Sequence, residues 1–108
     1  MIRVTLYHSG EIWTGYRAEG HSGYAEAGSD IICAAVSVLG ATCVNSLESV
    51  CGVIPKITEN KEGLLEFRLP ETAGPDAQIL MKALKQGLGD IEEQYPDYIK
   101  ISIQERRK

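Results

Sequence analysis

The sequence predicts a single α+β domain with elements in the order ββαββαβ, one mostly antiparallel sheet packed with two helices. Three observations carry this. Five short segments alternate apolar and polar residues. Two longer segments do not. The links between neighbouring strand segments are only a few residues long, which suits hairpins.

The first strand is read from Ile2, Val4 and Leu6 alternating with Arg3, Thr5 and Tyr7. His8-Ser9-Gly10-Glu11 is a hairpin loop, and Ile12 to Glu19 is the second strand, carrying Trp13, Thr14 and Tyr16. Residues 20 to 28 hold three glycines and form an irregular connection. Ser29 suits an N-cap, Asp30 suits the first helical turn, and Gly52 marks the end of a helix reaching Val50 or Cys51. No charged residue lies between Asp30 and Glu48, so this helix is expected to be buried on several faces.

Val53 to Glu59 is the third strand, with Pro55 pointing to an edge or an irregularity. Asn60-Lys61-Glu62-Gly63 turns the chain into a fourth strand through Leu65, Phe67 and Leu69. Pro70 to Pro75 leads into the second helix. There Ala77, Leu80, Met81, Leu84, Leu88 and Ile91 recur at spacings that put them on one face. Pro96 follows it, Ile99, Ile101 and Ile103 form the last strand, and Glu105-Arg106-Arg107-Lys108 is expected to fray.

Residues 1–108 are thus read as one domain of ordinary size. With 44% hydrophobic and 24% charged residues, the composition is that of a globular protein rather than a disordered one. The net charge of −4 argues against direct nucleic-acid binding by phosphate neutralisation. The first residues read as strand rather than signal peptide. The apolar stretch Ile31 to Val44 is shorter than the roughly 20 residues of a membrane span, so a cytoplasmic location without membrane contact is expected. Cys33, Cys43 and Cys51 are odd in number. On one helix their spacing holds them more than ~10 Å apart, beyond disulfide reach, so free thiols are expected.

The chemistry concentrates in Gly20-His21-Ser22-Gly23-Tyr24-Ala25-Glu26-Ala27-Gly28-Ser29-Asp30-Ile31-Ile32-Cys33. A histidine in a glycine-punctuated loop is followed by a cysteine in the first turns of a helix, where negative charge is favoured. At about 100° per residue, Asp30, Cys33 and Ser37 fall near one face. Cys33 is the candidate nucleophile and His21 the candidate base and acid. Asp30 would repel a thiolate beside it, or orient and stabilise the imidazole; the second role is favoured. N–H groups of the first turn are candidate oxyanion donors.

Against this stands the ordinary role of a cysteine in an apolar helix, that of a small buried hydrophobe, which Cys43 and Cys51 fit. Spacing alone does not place His21 against Cys33. His8 reads as a solvated turn residue, Ser37 as a packing hydroxyl or an accessory group, and Tyr24 as a loop anchor or a substrate contact. No zinc spacing, P-loop or dinucleotide fingerprint occurs, so no metal and no cofactor are expected.

The segments Gly20-His21-Ser22-Gly23-Tyr24-Ala25 and Gly28-Ser29-Asp30-Ile31-Ile32-Cys33-Ala34-Ala35-Val36-Ser37 resemble the signature of the ribosomal-processing cysteine proteases, Prp. The element order is similar over essentially the whole chain. The resemblance implies a Cys33–His21 dyad, with Asp30 and Ser37 supporting it. It implies a substrate loop containing Gly20, Ser22, Gly23, Tyr24 and Gly28. It further implies a homodimer that removes the N-terminal extension of a large-subunit ribosomal protein, a step needed for a working ribosome. A non-catalytic ribosome-associated peptide-binding module and a redox-sensing thiol protein are the alternatives.

Overall fold

The computed structural model describes residues 1–26 and 30–106. Its elements are β1 (Ile2–Ser9), β2 (Ile12–Glu19), α1 (Ile31–Ser49), β3 (Lys56–Lys61), β4 (Leu64–Arg68), α2 (Pro75–Gln94) and β5 (Ile99–Glu105). The expected ββαββαβ order is present. The strands form one sheet ordered β3-β4-β2-β1-β5. Two antiparallel hairpins, β1–β2 and β3–β4, join through antiparallel pairing of β2 with β4. Only β5 runs parallel to its neighbour, β1, because α2 carries the chain back across the sheet first.

Both helices cover one face of the sheet. Leu6, Tyr16, Phe67 and Ile99 from the strands meet Ile32 and Leu47 of α1 and Met81 and Leu88 of α2, all essentially inaccessible to solvent. The helices approach closely: a Cβ on Gly87 would come within 3.1 Å of Leu39. Gly40 packs against the Tyr16 ring and Leu65, with room for a Cβ only at 3.1–3.5 Å from them. The other face of the sheet is polar and uncovered by helix. There Arg17 bonds Glu66 at 2.9 Å and Glu19 at 3.1 Å.

Four expectations are corrected. The helix cap is Asp30, whose side chain accepts from Ile32 and Cys33 N–H, rather than Ser29, which lies outside the described residues. β3 begins at Lys56 instead of Val53, because Pro55 lacks the N–H that a ladder requires. α1 is buried on one side only. Ile32, Val36, Gly40, Cys43 and Leu47 face the core, while Ile31 and Val38 are 56% and 63% exposed. Its uncharged sequence suits a helix covered all round, but α2 occupies only one flank and the other borders open space.

The fourth correction concerns the C-terminus. β5 continues through Glu105, and Arg106 donates its N–H to His8 carbonyl and lays its guanidinium 3.8 Å from the Tyr7 ring centre. The tail expectation for Arg107 and Lys108 lies outside the described residues. α1 is long and apolar enough to cross a membrane by length and composition, yet its apolar side is part of the core shared with the sheet.

Candidate active site

The site is built where β2 ends, α1 begins and the β3–β4 turn passes. Gly20 takes φ 95° and donates its N–H to Gly63 carbonyl at 2.8 Å. Only glycine fits there, since a Cβ would sit 2.7 Å from Met1 carbonyl oxygen. This pinned glycine sets the direction of His21. The imidazole comes to rest over Gly63, where a Cβ would be 3.1 Å from His21 Nε2.

The next residue ties the loop to α1. Ser22 is buried, and its backbone N–H donates to Cys33 Sγ at 3.3 Å. Its hydroxyl donates to Asp30 Oδ2 and accepts the Tyr24 N–H at 3.0 Å. Asp30 Oδ1 accepts from Ile32 N–H at 3.0 Å and Cys33 N–H at 2.9 Å. One serine and one aspartate therefore hold the loop and the nucleophile-bearing turn together. The Ser22 hydroxyl, and after it the Cys33 and Ile32 amides, pull the Asp30 carboxyl down to about 2 despite its desolvation. Asp30 is thus a fixed anion across the neutral pH range.

Tyr24 anchors the far side of the loop. Its ring meets Tyr95 and Tyr98 edge-on, with centroids 5.8 and 5.2 Å away. Of the two roles open to it from sequence, the structure displays the anchor.

His21, Cys33, Asp30 and Ser37 line one open groove of about 710 Å³, whose floor includes Tyr16 and Leu65. Cys33 is half-buried and Ser37, one turn further along α1, is exposed. Gly20 and Gly23 also border the groove, whereas Gly28 lies outside the described residues. The residues expected to converge do so at the level of one groove.

Two details differ from expectation. Asp30 makes no hydrogen bond to His21 among the described residues: its oxygens serve Ser22 and the helix cap. Of the first-turn N–H groups expected as candidate oxyanion donors, those of Ile32 and Cys33 are taken by that same cap.

The β3–β4 turn was not foreseen as part of the site. Asn60 to Leu65 form the wall opposite α1, and Gly63 at φ 76° is the seat of His21. The sequence marks a turn there but carries no signal that it folds against residue 21. The remaining thiols stay outside the chemistry. Cys43 is buried 3.9 Å from Met81 sulfur, and burial pushes its thiol up to about 11. Burial also raises the Cys51 thiol. His8 bonds Gly10 carbonyl at 2.9 Å and packs on Trp13 in the hairpin, as a turn residue would. Among the described residues no cluster fit to hold a metal occurs.

A half-buried cysteine facing an amide donor at the start of a helix, with a histidine on the same groove, defines a cysteine peptidase. Comparison with known proteins agrees. The family model described as cysteine protease Prp matches residues 1–100, and the chain belongs to that family. The ribosomal processing cysteine protease Prp of Bacillus subtilis is 28% identical over 108 residues, covering 94% of this chain and 96% of that protein. The crystal structure of the S. aureus Prp protease with a covalently linked product peptide superposes with TM-score 0.89 at 27% identity, covering 95% of this chain and 99% of that one. The S. aureus enzyme with a substrate peptide gives 0.83 at 26% identity, with 95% and 99% covered.

Proposed function

We propose that this chain removes the N-terminal extension of a large-subunit ribosomal protein, with Cys33 as nucleophile and His21 as general base and acid. The observation that carries the assignment is the Ser22 N–H held 3.3 Å from Cys33 Sγ on the groove that His21 also lines. An N–H aimed at the sulfur favours the thiolate that must attack. The relatives' own names give ribosomal processing, and two of their structures hold peptides.

The steps follow from the groups present. His21 leaves its place over Gly63 and takes the Cys33 proton. The sulfur attacks the scissile carbonyl carbon, and the imidazolium returns the proton to the departing amine. A thioester remains. His21 then deprotonates a water that attacks the thioester, releasing the new carboxylate and the free thiol. Asp30 acts by fixing Ser22 and the first turn of α1, and Ser37 contacts the peptide one turn beyond the nucleophile.

The same reading makes the enzyme a homodimer of the cytoplasm. The uncovered, uncharged side of α1, with Val38 63% exposed, is its proposed contact. Mass spectrometry of the extended ribosomal protein after incubation with this chain and with Cys33→Ala tests the assignment. Loss of the extension with the unmodified chain alone establishes it. Tight peptide binding without cleavage would make the chain a binding module, and peroxide-sensitive oxidation of Cys33 without cleavage would make it a redox-sensing thiol protein.

A further inference from the structure

The net charge of −4 conceals a strong segregation. In the helix layer, α2 carries Asp76, Asp90, Glu92 and Glu93 against Lys82 and Lys85. The open face of the sheet is the reverse. Strand register sets Lys100 beside Arg3 across β5–β1, and Arg3 beside Glu19. It sets Thr5 beside Arg17, and Arg17 beside Glu66. It sets Gly15 beside Arg68, and Arg68 beside Lys56 on the edge strand. Arg106 lies over Tyr7 on this same face. Six cations thus share the face with four acids: Glu19 and Glu66, both bonded to Arg17, Glu59, which stands opposite Glu66 on the edge strand, and Glu71, beside Arg68 and Arg106.

Two features make this more than a solvated surface. Arg3–Lys100 and Arg68–Lys56 are like-charge cross-strand pairs, an arrangement that disfavours the free sheet. A pocket of about 210 Å³ opens between Arg68, Arg106, Tyr7, Thr14, Gly15, Leu69 and Glu71. A phosphate at its mouth would meet both guanidinium forks, with the Glu71 carboxylate as the opposing charge. The acids of the helix layer do not cancel this field, because at about 0.1 M salt charges separated by more than about 10 Å are largely screened.

We propose that the open face of the sheet binds single-stranded RNA, with a backbone phosphate seated between Arg68 and Arg106. The proposal departs from the expectation drawn from net charge, because binding responds to the local face. RNA fits better than an acidic peptide on two counts. Four of the six cations are arginines, the side chain that grips phosphate bidentately. The Arg106 guanidinium, backed by Tyr7, presents a flat cationic plane on which a base can stack. The face lies across the sheet from the peptidase groove, so the proposal stands or falls independently of the cleavage reaction.

Fluorescence anisotropy of a labelled mixed-sequence single-stranded RNA tests it with the full chain. Four to six phosphate contacts predict a roughly 50- to 300-fold loss of affinity between about 50 and 200 mM salt. Arg68→Ala/Arg106→Ala should weaken binding at least tenfold at low salt and flatten the salt slope by about 1.4. Arg3→Ala/Lys100→Ala, which leaves the Tyr7 stack intact, should also weaken binding and carries the test should the first pair lower thermal stability. Lys82→Ala/Lys85→Ala on α2 should leave affinity unchanged. No binding at low salt, equal loss from the α2 pair, or displacement of RNA by polyglutamate at equal chain concentration would each overturn the proposal. Inorganic phosphate competing as strongly as RNA per phosphate would also overturn it, reducing the site to a phosphate pocket.

Discussion

The Ser22 backbone N–H points at Cys33 Sγ from 3.3 Å, eleven positions away along the chain. This contact requires the loop after β2 and the first turn of α1 to be fixed relative to each other. The Ser22 hydroxyl does so through Asp30, and Asp30 also caps the helix that carries Cys33. The carboxylate next to the nucleophile is therefore a brace for the amide that faces the sulfur. Its negative charge is spent on three donors, which limits its repulsion of a thiolate.

The brace gives a pH dependence at the acid end. The Asp30 carboxyl sits at about 2 in the fold against 3.8 for a free aspartate, so the folded state favours its charged form. Its contribution is full above about pH 4 and is lost as pH falls from about 4 through about 2. Thermal melts across this range should show a loss of stability in the unmodified chain that is smaller in Asp30→Asn. An identical acid profile for both chains would refute the role of the carboxylate.

Replacing the serine separates its two functions. Ser22→Ala keeps the backbone N–H on Cys33 Sγ and removes only the hydroxyl that bridges Asp30 and Tyr24. Peptide cleavage should stay within about tenfold, since a side-chain hydrogen bond contributes about 0.5–1.5 kcal/mol. The Asp30 carboxyl, losing its strongest stabilising partner, should titrate upward toward 3.8 by NMR. Ser22→Pro deletes the N–H itself and should lose cleavage outright.

How much of this the sequence disclosed follows from distance along the chain. His21 and Cys33 were legible because glycine punctuation, a capping residue and a thiol lie within thirteen positions of each other. The strands and both helices were legible from local periodicity, and only Pro55 shifted a strand start by three residues. Gly63 and the Tyr95–Tyr98 pair were not legible as site residues, because sheet order brings them to the loop and no local pattern encodes it. The uncovered side of α1 was misread for a related reason: an apolar sequence records that a face avoids water, and leaves open whether this chain or another molecule covers it.

The seat of the imidazole offers a direct test of the non-local wall. At φ 76°, Gly63 is in the left-handed region, and a Cβ would be 3.1 Å from His21 Nε2. Gly63→Ala should cost about 1–2 kcal/mol from backbone conformation alone, read as a lower melting temperature. It should also push the ring from its place. kcat for peptide cleavage should change more than the stability loss accounts for, and the His21 ring resonances should shift in NMR spectra. A variant with unchanged kcat and unchanged ring shifts would show that Gly63 does not hold the imidazole in place.

Tyr24 carries the last prediction, because its ring ties the loop to Tyr95 and Tyr98 beyond the contacts made by Ser22 and Asp30. Its ring makes edge-on contacts with Tyr95 and Tyr98, each pair contributing about 0.5–1.5 kcal/mol beyond simple burial. Losing both should favour the released loop by roughly 1–3 kcal/mol, a population shift of about 5- to 150-fold. Tyr24→Ala should therefore raise KM or lower kcat/KM within that range and speed hydrogen exchange at the Tyr24 N–H, which Ser22 Oγ accepts. Tyr24→Phe keeps the ring and should restore both measurements to near the unmodified values. If Phe fails where Ala fails, the hydroxyl acts on the peptide and the ring contacts are incidental. If neither substitution alters exchange or cleavage, the loop is held by Ser22 and Asp30 alone.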